Sequence, residues 1–185
     1  MGAAREDLLD KTVAYVAEHG LADLSLRQLA AGIGTSHRML NFHFGSREGL
    51  LAAIVGSIEA QQRVALEQLA TEATTPTELV RAQWAQLSDP ALRPAIALFF
   101  EVLALAVQRR PGTEGFLDSL TDPWLATAAG IGERLAIATD RDELRLGVAV
   151  VRGLLIEVLA SGDLAGPTAS LERFLDLWER GRAEA

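Results

Sequence analysis

The chain has 185 residues, a formal net charge of −8 and a hydrophobic share of 49%, enough for one globular body or for a small head fused to a larger one. It contains no Cys, which excludes disulfide scaffolds, thiolate zinc sites and cysteine nucleophiles. Near the N-terminus Arg5, Glu6, Asp7 and Asp10 stand where a basic and then apolar leader would be needed, so no secretory signal is predicted and a cytoplasmic protein is expected.

Leu9, Val13, Val16 and Gly20 recur at helical spacing and predict an amphipathic first helix that Gly20 stops. Ser25-Leu26-Arg27-Gln28 has the form of a capping box, in which Ser25 and Gln28 satisfy each other's backbone amides, so a second helix should run from Leu26 to Gly32. Gly32-Ile33-Gly34 then offers a tight turn. Thr35-Ser36 caps a third helix reaching about Phe42. Ser46 caps a long fourth whose Leu50, Ile54, Ile58, Ala65 and Leu69 keep one face dry up to Thr71. A fifth starts at Thr74-Thr75-Pro76 and ends at Leu87. Asp89-Pro90 opens a sixth that runs to Arg110, where Pro111-Gly112 closes it. Further helices are predicted over 113–120, 122–138, 140–161 and 168–181. The fold class is therefore all-α, with about nine or ten helices and no internal repeat. The apolar stretches 95–107 and 146–160 are short for a bilayer and carry Glu101, Arg152 and Glu157, so no membrane partner is expected.

The negative charge is unevenly distributed. Residues 1–50 hold five Lys/Arg against six Asp/Glu, and residues 51–185 hold 12 against 19. Within the first part, 25–47 contains Arg27, Arg38, Arg47, His37 and His43 and no carboxylate. Helix, glycine turn and helix within about twenty residues is the helix-turn-helix arrangement. Ala30 suits the close approach of the two helices, and Leu29, Ile33 and Leu40 can face the first helix as a core. His37, Arg38, Asn41 and Phe42 are left projecting from the third helix. Leu40 and Phe44 have the spacing of core residues, with Met39 open to either role. For the two histidines a metal site lacks a third ligand nearby, so no metal is expected.

The run LSLRQLAAGIGTSHRMLNFHFGSREGLL, residues 24–51, closely resembles the DNA-binding head of the TetR family of regulators, with residues 5–55 matching in pattern. The resemblance implies a head over 1–46 and a helical ligand-binding and dimerisation body over 47–185. It implies that His37, Arg38 and Met39 lie near base edges and Asn41, Phe42 and His43 near the backbone or flanking bases, with Arg27 a further candidate. Arg47 stands where the family usually has a phosphate-contacting Lys. Its guanidinium can do the same bidentately. Ser25, Ser36 and Ser46 stand at helix starts, where free amides suit phosphate oxygens. Asn41 departs from the Tyr usual at its position, leaving phosphate contact or adenine reading open.

For the body the resemblance implies a small-molecule effector, no fixed cofactor, and a homodimer through the last two long helices. The sixth helix is apolar except at Glu101 and is expected to be enclosed. Trp84, Phe99, Phe100, Phe116 and Trp124 could line a cavity, with Glu101, Arg134 or Arg152 orienting a polar group, or could be ordinary packing. Arg145, Val148, Arg152, Leu155 and Leu159 on the penultimate helix and Leu171, Phe174, Leu175 and Trp178 on the last are the expected dimer stripes. The function read from this is a ligand-responsive repressor that binds a near-palindromic operator in double-stranded DNA and is released by an inducer. Two alternatives stand beside it: a helical interaction module without DNA affinity, and an enzyme using Glu101 and Glu157.

Overall fold

The computed structural model describes residues 2–19, 25–135, 137–138 and 140–183, so Gly20, the expected stop of the first helix, and Leu24 lie outside the described residues. Among these are nine α-helices and no strand: α1 Gly2–His19, α2 Leu26–Gly32, α3 His37–Phe44, α4 Arg47–Leu69, α5 Pro76–Leu87, α6 Arg93–Val107, α7 Asp122–Arg134, α8 Arg141–Ser161 and α9 Ala165–Ala183.

Helix starts follow local chemistry. Ser25 and Gln28 form the reciprocal capping box, with Ser25 N–H donating to Gln28 Oε1 at 3.0 Å and Gln28 N–H to Ser25 Oγ at 3.3 Å. Thr75 and Glu78 repeat the device at α5, where Pro76 occupies the first turn. Asp140 accepts from the amides of Asp142 and Glu143 at the start of α8.

Four expectations are corrected. Asp89-Pro90 opens a 3-10 turn, Pro90–Leu92, before α6 begins at Arg93. α6 ends at Val107 rather than Arg110, because Arg110 N–H turns back to the Leu105 carbonyl and Arg109 takes a positive φ of 56°. No helix forms over 113–120, where turns are found. There the hydroxyls of Thr113 and Ser119 bond the carbonyls of Arg110 and Phe116, giving the chain an alternative to a helical ladder. α7 stops at Arg134, short of the expected 138.

The chain packs as two compact units, one of residues 1–62 with 97–119 and one of 63–96 with 120–185. In the first, Leu29, Ala30, Leu40, Leu50, Leu51, Ile54 and Val55 form a closed core, each large apolar side chain contributing about 1.5–3 kcal/mol by leaving water. The inward seam of α1 is Leu8 and Thr12, one position before the expected Leu9 and Val13, which are half-buried. Thr12 is tolerated inside because its hydroxyl donates to the Leu8 carbonyl at 2.8 Å. α6 is less enclosed than expected: it buries Leu98, Phe99, Val102 and Ala106 and exposes Ala97, Glu101, Ala104 and Val107. The 18-residue stretch Pro90–Val107 is long and apolar enough to cross a membrane, yet Glu101 interrupts it midway and is paired as described below.

In the second unit α5 is stitched to α9 by three polar links. Arg81 Nε donates to both Glu172 oxygens at 3.0 and 2.9 Å, Trp84 Nε1 to Thr168 Oγ1 at 2.9 Å, and Thr77 Oγ1 to Glu179 Oε1 at 2.6 Å. The hydrogen bond to Glu172 raises the Arg81 pKa further, so this cation is permanent. α9 also packs on α8 and α8 on α7. Leu171 and Leu175 of α9 are fully buried.

Candidate nucleic-acid interface

The site is assembled in the first unit by α2, α3 and the start of α4. Gly34 makes the inter-helix turn with φ 71°, a conformation most side chains avoid. The Thr35 amide closes it on the Ala30 carbonyl at 2.8 Å. Gly32 serves a different need, since a Cβ there would collide with the Tyr15 ring of α1. Ser36 caps α3 by accepting from the Met39 amide at 3.2 Å.

α3 is thereby two-sided. Leu40 and Phe44 point inward, 1% and 7% exposed, and the guanidinium of Arg5 sits over the Phe44 ring, 5.0 Å from its centroid. His37, Arg38, Asn41, Met39 and Phe42 are exposed, the last two at 43% and 67%. His43 is half-buried, edge-on to Phe42 at 5.1 Å. Ser25, Arg27, Ser36 and Arg47 are exposed as well. A large exposed aromatic beside an arginine on an acid-free helix is poor solvation chemistry. It is good groove chemistry, in which guanidinium meets guanine or phosphate and apolar atoms meet thymine methyls.

Three long-range contacts at the start of α4, Ser46 with Pro111, Gly49 with Gly112 and Arg47 with Glu101, had no signal in the sequence beyond the breaker Pro111-Gly112. Ser46 Oγ accepts from the Gly49 amide at 3.0 Å and donates to the Pro111 carbonyl at 3.2 Å. Gly112, φ 92°, lies so close that a Cβ on it would be 2.7 Å from the Gly49 nitrogen. Arg47 Nη1 meets Glu101 Oε1 of α6 at 3.4 Å. The arginine expected at phosphate and the carboxylate expected in a ligand cavity thus face each other.

The other residues expected around a ligand are not brought together. Phe99, Phe100 and Phe116 pack among themselves in the first unit, with Phe99 centroids 5.1 and 6.2 Å from the other two. In the second, Trp84 is spent on Thr168, Trp124 is buried beneath Arg63 at 6.0 Å, Arg152 donates to the Leu120 carbonyl at 2.6 Å, and Arg134 is exposed.

Residues 8–54 match the family model described as bacterial regulatory proteins, tetR family. The HTH-type transcriptional repressor AcnR of Corynebacterium efficiens is 27% identical over 184 residues, covering 95% of this chain and 90% of that protein. The helix-turn-helix of α2 and α3 thus lies inside the stretch similar to the tetR family. That relative, matched over nearly the whole of this chain, is named a transcriptional repressor. Glu101 and Glu157, the carboxylates of the enzyme alternative, are both exposed and lie in different units. Solved structures share this all-helical fold. A regulator from Rhodococcus sp. RHA1 has a TM-score of 0.67 at 21% identity over 91% of this chain and 89% of that one. The multidrug binding protein EbrR, complexed with imidazole, has a TM-score of 0.61 at 22% identity over 96% and 90%.

Proposed function

We propose that this regulator represses transcription in the cytoplasm as a homodimer, with residues 1–46 reading a near-palindromic operator and residues 47–185 binding a small-molecule inducer and the partner subunit. The observation that carries the DNA reading is the outward side of α3, where His37, Arg38, Met39, Asn41 and Phe42 are all exposed in a stretch without a carboxylate. Two such helices, held roughly 34 Å apart, enter successive major grooves. Phosphate contacts from Arg47, Arg27 and the amides at Ser25 and Ser36 fix the register.

Dimerisation through α8 and α9 has its support in side chains left uncovered. Leu146, Ala149, Gly153, Ile156 and Ala160 form an exposed stripe at helical spacing on α8, and Leu177 is exposed on α9. This stripe lies one position beyond the α8 residues expected from the sequence, of which Leu155 is buried. Release follows if the inducer binds more tightly to a conformation whose recognition helices no longer match the groove spacing. The relative named a repressor and the neighbour named for multidrug binding support both halves of this reading.

The test is selection of bound sequences from random duplex DNA, followed by affinity measurements across salt. Enrichment of a two-fold-symmetric site with half-sites about 10 base pairs apart or a multiple of that is expected. Absence of binding to any duplex at low salt would end the DNA reading.

A further inference from the structure

We propose that the second unit carries a binding site built around the indole N–H of Trp178, made for a compact, uncharged, apolar ligand that offers one hydrogen-bond acceptor. A cavity of about 110 Å³ lies there, walled by Leu66 of α4, Leu79 and Val80 of α5, Ile131 of α7, Leu144 of α8 and Trp178 of α9. None of the aromatic or charged residues that the sequence suggested for a ligand borders it. Apolar cavities of about this size hold single rings.

The polar groups at its edge define the ligand's chemistry. Arg182 donates to Glu143 Oε2 at 3.0 Å and to the Ala138 carbonyl at 2.9 Å, and its guanidinium lies 5.5 Å from the Trp178 ring centroid. These two charges answer each other, so an ionised ligand finds no unpaired counter-charge. Trp178 Nε1 is the exception. It is buried and has no hydrogen-bond partner among the described residues, whereas the other indole bordering α9, that of Trp84, has Thr168. Buried indole N–H groups are normally paired, because the donor has surrendered water. A resident water needs two to four polar partners, and Gln83 is the remaining polar side chain on the wall. The Trp178 ring borders the cavity while its Nε1 is sealed, so the indole turns to meet a ligand carbonyl or ether oxygen, which satisfies the donor while the ligand's hydrocarbon covers the aliphatic walls.

As a binding site this stands by itself; as the inducer site it rests on the function proposed above. The experiment uses the full chain, ¹⁵N-labelled, and compares cyclohexanone with methylenecyclohexane, which has the same shape with CH₂ in place of oxygen. Cyclohexanone is expected to shift the Trp178 indole N–H resonance, assigned with Trp178→Phe, and to bind about ten-fold more tightly than the alkene. Trp178→Phe should bind both alike, and cyclohexanecarboxylate should not bind. Equal affinity of ketone and alkene for the wild type, a shift confined to the Trp84 or Trp124 indoles, or an indole N–H that contacts only water overturns the site. Should Trp178→Phe fail to fold, the wild-type comparison of ketone and alkene decides. If the ketone binds with the expected preference and operator affinity does not change, the site stands and induced release falls. If a ketone releases DNA equally from wild type and Trp178→Phe, the site falls and induced release stands.

Discussion

Arg47 and Glu101 face each other across 3.4 Å, each about half exposed at 47% and 49%, so the cation proposed to meet a phosphate is already engaged by a carboxylate of the same unit. Exposed pairs of this kind contribute about 0.2–1 kcal/mol, small enough for a DNA phosphate to displace Glu101. Glu101→Gln should therefore tighten operator binding up to about five-fold at low salt. Arg47→Ala should weaken it and reduce the slope of log K against log salt by about 1. Fluorescence anisotropy over a salt series measures both, and an unchanged slope in Arg47→Ala takes that residue off the phosphate.

Arg38 is exposed on α3, the helix proposed to read the groove, with no carboxylate nearby in sequence. Its replacement by Ala should cost about 1–3 kcal/mol of operator binding and relax preference at one base-pair position. Uniform weakening across all sequences would instead make it a phosphate contact.

The two glycines of the turn should fail for different reasons. Gly34→Ala meets no atom within 4 Å but must hold φ 71°, costing about 1–2 kcal/mol. Gly32→Ala must push away the Tyr15 ring, which stacks on His19 at 4.1 Å, costing about 1–3 kcal/mol. A double-mutant cycle with Tyr15→Ala, read by thermal unfolding, should relieve the second loss and leave the first untouched.

A charge placed on the α8 stripe should separate the subunits. Ile156→Glu is expected to yield a folded monomer by analytical ultracentrifugation, with operator affinity reduced by at least ten-fold, since one head reads too few base pairs. A dimer surviving in both Ile156→Glu and Leu146→Glu would move the interface elsewhere.

The Glu78 carboxyl sits below its ordinary value of 4.5, first because Thr74 Oγ1 donates to it, then through the Thr74 and Thr75 amides. A depressed folded-state value means the unfolded chain binds the proton more readily, so the stabilisation is present above pH 4.5 and is lost as pH falls through the lower folded value. Glu78→Ala should lower the melting temperature at pH 7 by more than it does at pH 3. An equal loss at both would assign the effect to helix propensity.

The head was readable because its boundaries are written in side chains that act locally. Ser25 with Gln28, Ser36 and Gly34 each fix a cap or turn within four residues. Exposure on α3 followed from the same register. What depended on distant partners was not readable. Thr12 is buried by virtue of a hydroxyl bond to its own helix, so apolar periodicity put the α1 seam one residue late. Glu101 is one acid on an apolar helix, and nothing in its neighbours signals a pairing with a residue 54 positions away. The aromatics grouped as a ligand lining share composition but not location. The cavity that exists is aliphatic and has a tryptophan from the last helix, which periodicity had assigned to a dimer stripe.

Gly49 and Gly112 meet almost backbone to backbone at the start of α4, with Ser46 clasping Pro111 alongside. Such a joint works like a hasp with no slack: a methyl group on Gly112 would strike Ser46 and Gly49, and one on Gly49 would strike the Phe44 carbonyl, so both positions must stay bare although 63 residues apart in the chain. Divergence that reshapes the rest of this unit must leave both of those hydrogens in place.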